Sequence, residues 1–228
     1  MSVLLLGVPQ IAGTVADNFN YQTIDPDGSF AWITIHHIVQ ALIFLLIIIV
    51  ISSRFKTLEF GFGWGNKEAG KRYVFLFSLI FGIGSIVSHL IVVLTSSFQQ
   101  FAYPLTTTNI VGQMGFQLLL SGPSEELIFR AFAITMLGLV IKTRIFNGRV
   151  SVANIIAAII FGLAHADFSL LLFEVNHNLY QVIMAVILGL IYGDCYEKTG
   201  SMLYPMMMHS ISNIIMVGLT IVITYVIY

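Results

Sequence analysis

Between Tyr73 and Ser124 the chain runs for 52 residues without a single Asp, Glu, Lys or Arg. Such a run cannot coat a water-facing surface, because soluble domains carry about a quarter of their residues as charge. The scarcity is general: 9% of the 228 residues are charged and 57% are hydrophobic. The chain reads as an integral membrane protein with an all-α fold, a polytopic transmembrane helical bundle. A net charge of −1 gives no basic field to attract nucleic acid, so a nucleic-acid partner is set aside. Cys195 is the single cysteine, which excludes an internal disulfide.

A spanning helix needs about 20 mostly apolar residues. Residues 33–53, 73–95, 125–141, 151–165, 179–196 and 202–228 meet or approach that requirement. Residues 1–16 are apolar but short, and Pro9 and Gly13 interrupt them. No Lys or Arg precedes Arg54, so no cleaved signal peptide is expected. With the stretch after Phe98, the expectation is about seven to eight membrane segments. Residues 1–110 form N-terminal membrane segments without a motif, and 111–228 form a core that is one structural unit with them.

Basic residues set the orientation. Arg54, Lys56, Lys67, Lys71 and Arg72 fall in one loop, Lys142, Arg144 and Arg149 in a second, and Lys198 in a third. Segment 17–31 holds Asp17, Asp25 and Asp27 and no base. The positive-inside rule puts the basic loops in the cytoplasm and 17–31 outside. Residues 98–141 must then cross once. The expected break is Gly122-Pro123, with a helix starting near Ser124, which serves as its N-cap.

After the uncharged run, Glu125, Glu126 and Arg130 come together. Each charge inside an apolar helix costs about 2.5–3.5 kcal/mol on insertion scales and persists where it has a partner or a task. Glu126 and Arg130 are four residues apart and share a helix face, whereas Glu125 points about 100° away. Arg130 can neutralise Glu126 and leave Glu125 free to face a cavity. Two acids in a first turn also suit a helix dipole. Phe161 and His165 are spaced alike, as are His209 and Asn213. Taken singly, these are a helix cap, a helix-end histidine and an interhelical hydrogen bond. Counted from the helix ends at 1.5 Å per residue, however, all lie at similar depth.

The order EExxxR, FxxxH, HxxxN, with Gly189 to Gly193 and Thr199-Gly200-Ser201 before the last histidine, resembles the CAAX protease and bacteriocin-processing family. This is also called the ABI family, of glutamate intramembrane proteases. The likeness covers about residues 115–220. It implies that Glu125 activates water as general base, that His165 helps hold that water, and that His209 and Asn213 stabilise the oxyanion. Glu126 and Arg130 fall at supporting positions and Phe161 at a packing one. It further implies a peptide or lipid-modified protein substrate, a bilayer setting and no cofactor. A short chain of this kind points to a prokaryotic cell membrane.

Zinc is the alternative cofactor, since a Glu and two His can form a His₂Glu site, but HExxH is absent. Serine and aspartyl chemistry lack a GxSx element and a second membrane Asp to match Asp194. A non-catalytic membrane peptide-binding, immunity or scaffold protein is the other class. His36, His37, His89 and His177 lack motif partners and read as structural or interfacial. Asp167, Glu174 and Asp194 read as residues near the membrane surfaces.

Overall fold

The computed structural model describes residues 2–165, 167–169, 174–176 and 179–227. The order is α1 (Ser2–Ala16), α2 (Ala31–Arg54), α3 (Lys67–Leu94), a central helix α4 (107–140), α5 (Val152–Leu163), α6 (Leu179–Thr199) and α7 (Leu203–Ile227). Two small antiparallel hairpins interrupt the helices: β1 (Arg144–Ile145) with β2 (Val150–Ser151), and β3 (Asp167–Ser169) with β4 (Glu174–Asn176). By length and composition, α2, α3, α6 and α7 can each cross a bilayer. The protein is a polytopic all-α membrane bundle, as its composition requires.

Polar residues fix the helix ends. The side chains of Asn66, Thr106 and Ser151 accept from the backbone N–H groups of Ala69, Asn109 and Asn154, capping α3, α4 and α5. At the C-terminus of α6, Gly200 adopts φ +65°, and its N–H returns to the Tyr196 carbonyl at 2.8 Å.

The three basic loops gather at one end of the bundle. Asn66 N–H donates to the Thr199 carbonyl at 2.8 Å, and Met202 N–H donates to the Gly61 carbonyl at 2.9 Å. Arg144 pairs with Glu197 at 3.1 Å, and Ser151 hydrogen-bonds the same carboxylate. Asp194 at this end takes hydrogen bonds from Tyr73 at 2.5 Å and Lys198 at 2.9 Å. The acidic loop closes the opposite end, where the Asn109 amide donates to Asp27 at 2.8 Å. Helix α4 therefore runs once from the acidic end to the basic end, as the charge pattern requires.

The break expected at Gly122-Pro123 is absent, and so is the Ser124 N-cap. α4 passes through both residues with right-handed helical dihedrals, φ −55° and ψ −63° at Ser121 and φ −56° and ψ −54° at Gly122. Two π-helical stretches, Gln117–Ser121 and Leu127–Ile134, flank the motif. A π turn bonds to the fifth preceding carbonyl and widens the helix, which makes room for a ring that has no N–H to give. Gly122 is a contact rather than a breaker: a Cβ there would sit 2.9 Å from Ser210 N, so its absence lets α4 lie against α7. Glu125 and Glu126 are consequently mid-helix, with no help from a helix dipole.

One core cluster joins both halves of the chain. It holds Phe44 and Ile48 of α2, the run Leu127–Ile134 of α4, and Phe161 of α5. A smaller cluster joins α3, α6 and α7 through Phe77, Tyr192 and Met208. Between α3 and α6 lies a groove of about 1210 Å³. Arg72 and Glu68 stand at its basic end, Phe77, Ile80 and Leu188 along its walls, and His165, His209 and Asn213 at its inner part.

Candidate active site

Two carboxylates on adjacent residues of α4, Glu125 partly buried and Glu126 buried, have different partners. Glu126 is fully buried, and so, to 1% exposure, is Arg130. Arg130 Nε lies 2.9 Å from Glu126 Oε2 across one helical turn, the pairing that their spacing predicts. Arg130 also donates from Nη2 to the Gly189 carbonyl at 3.2 Å, and its guanidinium carbon lies 4.5 Å from the Phe161 ring centroid. Gly189 lets α6 lie close to α5, since a Cβ there would stand 3.1 Å from Phe161 and 3.2 Å from Ala158. A charge taken this far out of water survives only with such compensation.

The other oxygen of Glu126, Oε1, lies 2.8 Å from His209 Nδ1. Tyr192 stacks on the His209 ring at 5.2 Å between centroids, and its hydroxyl meets Ser212 Oγ at 2.8 Å. His209 is thereby held with Nε2 pointing at Glu125, 3.7 Å from Oε2.

Glu125 is bracketed by two imidazoles. His209 faces Oε2, and His37 of α2 faces Oε1 at 3.8 Å. Glu125 Oε2 is buried and makes no hydrogen bond among the described residues. Both gaps exceed a direct hydrogen bond. His209 also lines the groove, so it stands between the groove and the carboxylate.

His165 opens onto the groove beside His209 and Asn213. Its Nδ1 donates to the Phe161 carbonyl at 2.8 Å, and its ring meets the Phe161 ring edge-on at 4.7 Å. Asn213 donates from Nδ2 to Ser121 Oγ at 3.0 Å, which ties α7 to α4 one turn before the carboxylates.

Acceptors fix the histidine tautomers. A carboxylate and a carbonyl only accept, so His209 and His165 carry their proton on Nδ1 when neutral. Each then presents an Nε2 lone pair. With its proton on Nδ1, His209 donates at Nε2 only as imidazolium.

His37 is the site residue that spacing missed. It reads from sequence as structural, yet it is 6% exposed and touches the motif on two sides. Besides facing Glu125, its Nδ1 lies 2.6 Å from Ser124 Oγ, and Ser124 donates onward to the Ser121 carbonyl at 3.1 Å. His36 stacks on Trp32 at 5.2 Å, and His89 bonds the Ser85 carbonyl at 2.8 Å, both in keeping with packing roles. His177 lies outside the described residues. Among the described residues, no group of three or more His, Cys, Asp or Glu has a metal-holding arrangement.

Residues 107–215 match the family model described as Type II CAAX prenyl endopeptidase Rce1-like. Neither the curated proteins nor the solved structures searched for likeness contain a match. The matched span holds both carboxylates, Arg130, His165, His209 and Asn213, but ends at α7 and begins after α2 and α3.

Proposed function

We propose, from the premise that residues 107–215 belong to the type II CAAX prenyl endopeptidase Rce1-like family, that this membrane protein hydrolyses a peptide bond with a water activated by Glu125. The observation that carries this reading is a buried carboxylate oxygen without a hydrogen bond among the described residues, 3.7 Å from an imidazole that itself borders a groove.

Amide hydrolysis needs a base for the water and donors for the oxyanion. Glu125 takes a proton from the water as its oxygen attacks the carbonyl carbon. His165 Nε2 accepts the second water hydrogen and orients the attack. The oxyanion receives hydrogen bonds from the Asn213 amide and from Nε2–H of His209 in its imidazolium form. Glu126, 2.8 Å from His209 Nδ1, compensates that cation. The intermediate collapses as the C–N bond breaks. The proton held by Glu125 passes to the leaving nitrogen, and the remaining hydroxyl proton follows through His165 Nε2, giving a carboxylate and a protonated amine.

The groove between α3 and α6 suits an extended, apolar substrate. Its walls are aliphatic and aromatic, its inner part is the polar cluster, and its outer end carries Arg72 and Glu68. A lipid-modified, CAAX-type peptide has the matching distribution of apolar chain and peptide, which makes it the substrate class of choice. The membrane is taken as a prokaryotic cell membrane.

The test is cleavage in detergent of a prenylated CAAX peptide and its unprenylated twin, with and without chelator. Preferential, chelator-resistant cleavage of the prenylated peptide is expected. Loss of turnover in EDTA with recovery on zinc would replace this mechanism by a metal one. A folded protein that binds but never cleaves the peptide would leave a binding or scaffold role.

A further inference from the structure

The Glu125 carboxylate is held from α2 as well as from the matched span. Ser124 has one hydroxyl proton, which the Ser121 carbonyl, 3.1 Å away, can accept. The hydroxyl can then only accept from His37 Nδ1, 2.6 Å away. In that arrangement neutral His37 carries its proton on Nδ1 and turns an Nε2 lone pair toward Glu125 Oε1, 3.8 Å away. Phe116 packs edge-on against the ring at 5.0 Å, which limits its rotation. A lone pair facing a carboxylate gains nothing from the carboxylate itself. It gains a hydrogen bond when Glu125 is protonated.

We infer that His37 is a positioning residue of the site: its Nε2 accepts the Oε1–H of protonated Glu125, leaving Oε2 turned toward His209 and the groove. This rests on Glu125 being the base. The two sides of the carboxylate then have separate duties. The oxygen facing His209 takes the proton from water; a half-turn about the Cγ–Cδ bond brings that protonated oxygen to face His37, which holds it, and the reverse turn delivers the proton to the leaving nitrogen as the C–N bond breaks. The 3.8 Å gap closes by about 1 Å in that step, as hydrogen bonds in resting sites often do. The chain that supports the ring, Ser124 to Ser121, lies on the same turn of α4 that receives Asn213. One turn thus sets a residue on each side of the catalytic carboxylate.

The groups that face His37 electrostatically are Glu125 of α4, His36 of its own helix, His209 of α7 and His165 of α5. Nitrogen-15 NMR of histidine-labelled protein in detergent resolves its tautomer and titration. The expected result is an Nδ1–H tautomer for neutral His37 and a midpoint displaced by about half a pH unit or more in Glu125→Gln. An Nε2–H tautomer, or a His37 midpoint indifferent to Glu125→Gln, would overturn the proposal. On a prenylated peptide, His37→Leu is expected to lower kcat about tenfold with KM retained. An unchanged kcat would equally overturn it. Retained turnover in Glu125→Gln would sink the base assignment and with it the proton-holding duty of His37, whereas the NMR coupling, read without substrate, tests the His37–Glu125 contact by itself.

Discussion

Glu126 Oε1 lies 2.8 Å from His209 Nδ1, while Glu126 Oε2 lies 2.9 Å from Arg130 Nε. The supporting carboxylate thus spends one oxygen on a cation of its own helix and the other on a histidine of α7. A fully buried carboxylate that faces a cationic or imidazole partner at each oxygen is poorly placed to activate water. That division leaves Glu125, one residue earlier, as the carboxylate with an uncommitted oxygen.

Glu126→Gln should remove more than a charge. Arg130 would keep a buried cation without a counter-charge, and His209 would lose the acceptor that fixes its tautomer. Breaking one side of a buried pair costs about 3–5 kcal/mol. A fall of that order in unfolding free energy in detergent, together with loss of peptide cleavage, is the expected outcome. Arg130→Met should destabilise as well, for the mirror-image reason.

Gly122→Ala tests whether Gly122 is a contact or a breaker. As a contact with Ser210, it should lose about 1–3 kcal/mol by overpacking and displace His209. Gly138, also in α4, has nothing within 4 Å of a built Cβ. Gly138→Ala should therefore gain up to about 1 kcal/mol from helix propensity. Thermal unfolding of the two variants side by side gives opposite signs if α4 is continuous.

Asp25 predicts an acid-sensitive step at the entry to α2. Its carboxylate accepts from the N–H groups of Ser29 at 2.8 Å and of Phe30 and Ala31 at 2.7 Å. Burial pushes this carboxyl up, but the donors of Ala31, Phe30 and Ser29 outweigh it and hold it below its ordinary range. A lowered folded value gives stability that is present above about pH 4, the unfolded value, and lost as pH falls through the folded one. Asp25→Asn should cost about 1 kcal/mol at neutral pH, as lost caps do, and flatten the unfolding profile below about pH 4. An acid profile identical to wild type would remove Asp25 from that role.

Sidedness can be read with single cysteines. Cys195 is buried, so Cys195→Ala supplies a silent background. In it, Phe146→Cys and Trp64→Cys, both exposed at the basic end, should label from one side of the membrane, and Ile24→Cys from the other. Phe146 and Ile24 labelling from the same side would contradict a single crossing by α4.

The legible and illegible parts of the site differ in how local their causes are. The Glu126–Arg130 pair follows from helical spacing alone, and the grouping of basic loops follows from their charge. The continuity of α4 through Pro123 was not legible, because a π turn leaves no compositional mark and depends on the packing of Gly122 against Ser210. His37 was hidden for a similar reason. Its partner Ser124 is 87 residues away, and no periodicity within α2 announces a contact made on α4.

The most direct test of the central claim is kcat for a prenylated peptide in wild type and Glu125→Gln, an exchange that keeps the shape and removes the base. Loss of a general base costs about 10²–10⁴-fold, so a kcat reduced by at least about 10²-fold, with an unchanged thermal midpoint, is the predicted result. A Glu125→Gln protein that folds and cleaves within about threefold of wild type would contradict the account.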